Sequence, residues 1–456
     1  MPAASSFRRA LLPLAGAMAA VVALGGGAAL AQGADPWPMA GRNPAHQATI
    51  EGPVAPYRNA WSTEIEGGPV AGPVVAGDAV VVVAEESTLA VAPDTGERLW
   101  EWPRTPGPAG PAAISGDLVI HASGTGPATA LVARRLSDGG EVWRAFAGSA
   151  APGGLTVAGG SVFTGTRQGV VLAFDAETGE ERWRFEADGA VETAPAVSGG
   201  LVLVASQSLS TGRATVYALD AAAGAESGPV WQFTPRPVPS AFPSSVAAGD
   251  GVAFVGTSDG SAWGLDLESG AQRWSTEVRD VFSPRQVPAA MDGGVVIADR
   301  SHLYRFDASG EEQWVFRLAD LRQLSGDRTN SLAASSPAVS GGVVLIGDAS
   351  GTLSAIDVET ARRVWRKDLG PGPIGAVAAS EERVYVVSQG ESGSLVAMES
   401  DPDGVLLDEV SPTVLFPGRA LLNYALAFLG VGAVIVGLFR FLLRGRNGAG
   451  AEQTSS

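Results

Sequence analysis

Apolar residues come in runs of four or five along most of this chain, separated by clusters of Gly, Pro, Asp and Ser. Val170-Val-Leu-Ala-Phe174, Val216-Tyr-Ala-Leu219 and Leu353-Ser-Ala-Ile356 are typical: rich in residues that suit strands and too short for a buried helix. Upstream of such runs stand Ala194-Pro-Ala-Val-Ser-Gly-Gly200 and Ser336-Pro-Ala-Val-Ser-Gly-Gly342, each followed by a second run, Leu201-Val-Leu-Val204 and Val343-Val-Leu-Ile346. Downstream comes a turn and then a tryptophan, as in Asp175-Ala-Glu-Thr-Gly179 before Trp183, Asp266-Leu-Glu-Ser-Gly270 before Trp274 and Asp307-Ala-Ser-Gly310 before Trp314. Each unit therefore predicts four short strands.

The units recur. Trp61, Trp100, Trp143, Trp183, Trp231, Trp274, Trp314 and Trp365 are spaced by 39, 43, 40, 48, 43, 40 and 51 residues, and no long amphipathic stretch separates them. Tandem four-stranded antiparallel units of this length predict an all-β, eight-bladed β-propeller. An eighth set of inner strands runs from Ile374 through Val384-Tyr-Val-Val387 to Leu395-Val-Ala-Met398 with no tryptophan after it. The strand around Trp61 is expected to supply its missing outer strand and close the ring; a competing closure uses Val405-Leu-Leu407. The eight tryptophans are expected to pack between blades, and the turn glycines to adopt positive φ.

The unit Pro-Ala-Val-Ser-Gly-Gly, strand, Gly-x-x-Asp/Ser-Gly, strand ending in Asp, x-x-Thr-Gly and Trp resembles the pyrroloquinoline-quinone (PQQ) repeat. Trp37-Pro-Met-Ala-Gly-Arg-Asn-Pro-Ala-His46 resembles the lead-in segment of secreted proteins with PQQ-like propellers. The resemblance covers about residues 37 to 410. It implies a fold shared by quinoprotein dehydrogenases and by cofactor-free propellers, among them the propeller lipoprotein of the outer-membrane assembly machine. The alcohol dehydrogenase branch carries a vicinal disulfide over the quinone, and this chain has no cysteine. That absence also excludes thiolate metal sites, cysteine nucleophiles and a lipid-modified N-terminal cysteine.

The ends predict an address. Arg8 and Arg9 precede an apolar run to about Leu24, and Ala29-Leu30-Ala31 offers a signal-peptidase site, so residues 1–31 read as a signal peptide, with an uncleaved anchor as the alternative. Residues 32–60 form the lead-in, 61–410 the propeller and 411–419 a linker. Ala420 to Phe439 is an uncharged stretch of 20 residues followed by Arg440, Arg444 and Arg446, which predicts a transmembrane helix and a cytoplasmic tail over 440–456. The expected localisation is a single-pass protein of the cytoplasmic membrane with its propeller on the extracytoplasmic side.

The net charge of −17 has the wrong sign for a partner that must neutralise phosphates, so no nucleic-acid partner is expected. His46, His121 and His302 show no metal-ligand spacing, and no Gly-x-Ser-x-Gly stands at a strand-to-helix turn; neither a metal site nor a catalytic residue is predicted. Departures from the repeat are the candidate ligand-binding residues. They are Glu192, Arg285 and Gln286 near the starts of inner strands, with Arg328 and Asn330 in the polar insertion Asp320–Ser331; strand starts that face the channel would bring them to one mouth. The function expected is a noncatalytic binding or scaffold module, membrane-anchored, for a protein or envelope ligand, with no cofactor. The alternative is a membrane-tethered quinoprotein oxidoreductase of alcohols or sugars using PQQ and calcium.

Overall fold

The computed structural model describes residues 37–410 apart from 70, 107–109, 149–153, 209, 225–227, 236–243, 279–285, 319–333, 390–392 and 408. The predicted signal peptide, C-terminal apolar stretch and tail lie outside these residues.

Eight antiparallel sheets follow one another along the chain. In blade 3, for example, the strands Thr156–Ala158, Ser161–Gly165, Val170–Asp175 and Glu181–Glu186 pair in sequence order. Blades 1, 2, 4, 5, 6 and 7 repeat that order, starting from innermost strands Val74–Ala76, Ala113–Ser115, Ala196–Ser198, Ala247–Gly249, Ala289–Met291 and Ala338–Ser340. Blade 8 consists of Ile374–Ala379, Val384–Ser388, Ser394–Ser400 and, from the other end of the chain, Tyr57–Glu64. The register puts Trp61 opposite Ala397, so the Trp61 strand closes the ring as the sequence suggests. The innermost strands of blades 8 and 1 touch. The competing closure does not form: Val405 is 82% exposed, and the chain beyond it adds Glu409–Val410 to the outer edge of blade 7 at Arg362–Arg363.

The core lies between blades, in layers such as Phe163, Val171, Trp183, Val202, Val204 and Tyr217 between blades 3 and 4. Burial on both faces explains why the second and third strands read as continuous apolar runs. The tryptophans bridge blades as expected. Each indole nitrogen from Trp61 to Trp314 donates to a carbonyl in the next blade: Pro93, Leu136, Ala176, Ala221, Leu267, Ala308 and Val358, at 2.6–3.2 Å. Trp365 instead meets Tyr57 of blade 8 edge-on, with centroids 5.1 Å apart. Aspartates build several of the turns that face the indoles, among them Asp175, Asp266, Asp307 and Asp357. Asp266 Oδ1 accepts from the Ser269 backbone N–H at 2.9 Å and its hydroxyl at 2.6 Å, while Oδ2 accepts from Arg273 at 2.7 Å.

The lead-in segment is part of the ring. Thr49–Ile50 pairs in parallel with Ala338–Ser340 and also lies against the innermost strand of blade 6. Trp37, Met39, His46 and Ala48 are all buried.

Candidate functional site

The ring has two mouths, and the chain treats them differently. At one, the innermost strands turn back through pairs such as Gly199-Gly200, and the lead-in segment lies across their edges. At the other, the innermost strands begin and the second strands end.

The described residues of this second mouth include many neutral hydrogen-bonding side chains beside the Arg167–Glu192 ion pair. Ser244 Oγ accepts from Gly256 N at 3.0 Å in blade 5, and Ser335 Oγ from Gly347 N at 2.8 Å in blade 7. Gln286, at the entrance to blade 6, donates through Nε2 to Ser335 O at 3.3 Å, and Val287 N donates to Ser336 Oγ at 2.9 Å; together these tie blade 6 to blade 7. Gln389 Nε2 reaches Pro69 O at 3.4 Å, joining blade 8 to blade 1. Among the described residues, the buried Thr193 Oγ1, Gln207 Oε1 and Gln286 Oε1 here have no partner.

Of the predicted site residues, Glu192 lies beside the entrance to blade 4, half exposed, and pairs with Arg167 of blade 3 at 3.2 Å. Gln286 is buried and committed to blade 7. The two serve separate seams, blade 3 to 4 and blade 6 to 7. Arg285, Arg328 and Asn330 lie outside the described residues. Among the described residues no group of three or more His, Asp or Glu side chains could hold a metal ion. Calcium takes six to eight oxygens with carboxylates among them, and the described mouth residues bring no such cluster together: Glu192 is held by Arg167, and its described neighbours at the seams are serine, threonine and glutamine.

Two polar clusters escaped the sequence reading. In blade 6 Asp299 is fully buried and accepts from Ser301 N at 2.7 Å, His302 N at 2.5 Å and Tyr304 Oη at 2.5 Å. His302 Nδ1 lies 2.9 Å from Ser301 Oγ and 3.4 Å from Asp299 Oδ1. Serine and aspartate meet the same ring nitrogen, whereas a proton relay needs one on each; this cluster shapes a turn. Between blades 1 and 2, His121 and Arg134 are buried at positions where blade 3 has Thr164 and Phe174. Arg134 sits over the Trp102 ring at 5.5 Å and donates to Gly139 O at 3.0 Å. Burial, reinforced by the charges of Arg134, Arg104 and Arg144, pushes His121 down to about 4. Aligning blade 2 with its neighbours strand by strand would have exposed both substitutions.

A propeller whose mouths and seams are built this way belongs to the broad class of PQQ-like rings, and sequence comparison narrows it. The chain belongs to the family described as outer membrane protein assembly factor BamB, whose model matches residues 55–146, 131–298 and 299–407. The outer membrane protein assembly factor BamB of Yersinia pestis is 27% identical over 257 residues, covering 53% of this chain and 62% of that protein. The alignment thus spans less than two thirds of that relative's length. Among solved structures, BamB from Moraxella catarrhalis superposes with a TM-score of 0.60 at 16% identity, covering 77% of this chain and 99% of that one. A europium-containing methanol dehydrogenase superposes at 0.64 with 13% identity, covering 80% of this chain and 98% of that one. At these identities both show the fold alone.

The expected localisation is corrected by these findings. The matched family and the Yersinia relative are described by outer-membrane protein assembly, against a single-pass protein of the cytoplasmic membrane. Among the described residues no helix is long and apolar enough to cross a membrane. That expectation rested on residues 420–439, outside the described residues: an uncharged run of that length matches a bilayer thickness, which is a weaker statement than an address.

Proposed function

We propose that this chain is a noncatalytic propeller that binds a protein partner and serves as a scaffold in the assembly of outer-membrane proteins. The observation that carries the reading is the family match, which runs through all eight blades. Two features of the ring support it. The lead-in segment lies across one mouth, and the described residues of the other include serine, threonine and glutamine donors and acceptors suited to a peptide backbone or amide side chain.

The test has two arms. Crosslinking the full chain in its native envelope, followed by mass spectrometry, is expected to recover a component of outer-membrane protein assembly, with crosslinks on blade rims or the second mouth. Titration of the purified chain with PQQ and calcium, read by absorbance and by dye-linked oxidation of alcohols and sugars, is expected to show neither saturation nor turnover. Saturable quinone binding with turnover would replace the scaffold by an oxidoreductase. Crosslinks confined to unrelated proteins would remove the assembly role and leave only a binding propeller.

A further inference from the structure

The lead-in segment makes main-chain hydrogen bonds to the innermost strands of six blades. Val75 N donates to Trp37 O at 2.8 Å, Ile114 N to Pro38 O at 2.8 Å, Val197 N to Pro44 O at 2.5 Å and Ala248 N to Ala45 O at 2.8 Å. Ala290 N donates to His46 O at 3.2 Å, and Val339 N to Ala48 O at 2.6 Å. The donor is always the central residue of a three-residue strand, on the edge that the second strand leaves free.

The spacing of the acceptors locates the segment. The consecutive carbonyls of Pro44, Ala45 and His46 serve the consecutive blades 4, 5 and 6. Successive Cα atoms are about 3.8 Å apart, so three blades are spanned within about 8 Å of chain, an arc that fits only close to the ring axis. Asn43 makes this arc possible. Its Oδ1 accepts from Ala45 N at 3.1 Å and Gln47 N at 3.0 Å, and its Nδ2 donates to Gln47 Oε1 at 3.0 Å. Strap N–H groups are thereby gathered inward while the carbonyls fan out to the blades. Gly41, Arg42 and His46 all have positive φ, at 68°, 71° and 58°, which winds the chain tightly. The His46 ring is fully buried and its Nδ1 lies 2.6 Å from Val246 O of blade 5.

We infer that Trp37–Ile50 is a strap that seals one mouth of the propeller at its axis, with Asn43 as the positioning residue that holds it closed. The strap satisfies six innermost edges that an open ring would leave to channel water. Any ligand of the channel then enters from the opposite mouth. This inference is independent of whether the partner is an outer-membrane assembly component.

Amide hydrogen exchange on the full chain tests it. The amides of Val75, Ile114, Val197, Ala248, Ala290 and Val339 are expected to exchange at least about 100-fold more slowly than those on the free outer edges of the same blades. Asn43→Ala is expected to speed these six by more than about tenfold while second-strand amides such as those of Leu203 and Leu345 keep their protection. Asn43→Asp retains the Oδ1 acceptor and should restore most of it. Fast exchange at the six positions in the unaltered chain would overturn the strap. Equal protection in Asn43→Ala, or no rescue by Asn43→Asp, would overturn the role of Asn43; if Asn43→Ala fails to fold, the unaltered chain still decides the strap.

Discussion

The indole of Trp231 in blade 4 lies on Gly270 in the turn of blade 5, so close that a Cβ on Gly270 would stand 2.6 Å from ring atoms Cδ2 and Cε3. Gly270 has φ +69°, so this turn asks for glycine twice, once for its backbone angle and once for its bare face. Trp231 Nε1 adds a bond to Leu267 O at 3.0 Å on the same turn. Gly270→Ala is therefore expected to cost about 2–4 kcal/mol, joining a left-handed alanine to a displaced indole. Urea unfolding followed by tryptophan fluorescence measures it, and a loss below about 1 kcal/mol would mean that the blade 4 to 5 seam yields easily.

Ring closure gives a second expectation. Trp61 joins blade 8 to blade 1 through Pro93 O at 2.8 Å and packs near Tyr385, with centroids 6.0 Å apart. Trp61→Ala should cost about 3–5 kcal/mol, the range for truncating a packed aromatic. Val405→Ser, at the site of the competing closure, should stay within about 0.5 kcal/mol because that side chain is exposed. The reverse ranking in thermal denaturation would place the closure at the other segment.

Repetition explains what could be read from the sequence. The eight tryptophans, the Asp-x-x-Thr/Ser-Gly turns and the paired apolar runs repeat a local rule in each blade, so blade number, strand order and closure were legible. The strap was not. His46 and Asn43 matter through bonds to backbone 200 residues away or within one irregular turn, and no periodicity announces either. Glu192 and Gln286 stand out from the repeat in sequence, yet sequence could not tell a channel ligand from a residue that ties two blades together at one seam. His121 and Arg134 were missed for the opposite reason: a flanking apolar run concealed two polar residues facing blade 1. The localisation that the family match corrects rested on the twenty uncharged residues from 420 to 439, which lie outside the described residues, and hydrophobic length alone does not give a location.

His46 and His121 make stability depend on pH. Burial is the main cause holding each at about 4 against an ordinary 6.5. As pH falls below 6.5 the unfolded chain takes up these protons while the folded chain holds off until about 4. Stability is therefore lost progressively across that window, and the loss is complete once both states are protonated. The two pKa differences correspond to an upper bound of roughly 3 kcal/mol per histidine. His46 also bonds Val246 O, so replacing it would disturb the strap; His121 has an unpartnered buried Nε2 and is the cleaner target. His121→Val installs an aliphatic side chain like that of Val204 in blade 4. It should leave stability at pH 7.5 unchanged or raised by about 1 kcal/mol and should remove about half of the loss between pH 6.5 and 4. Carboxylates titrating near the lower end affect both proteins alike, so the difference between their denaturation midpoints across pH isolates the histidine. Parallel pH curves for the two proteins would mean that His121 takes up its proton at the same pH in the folded as in the unfolded chain, and so is not held down by burial.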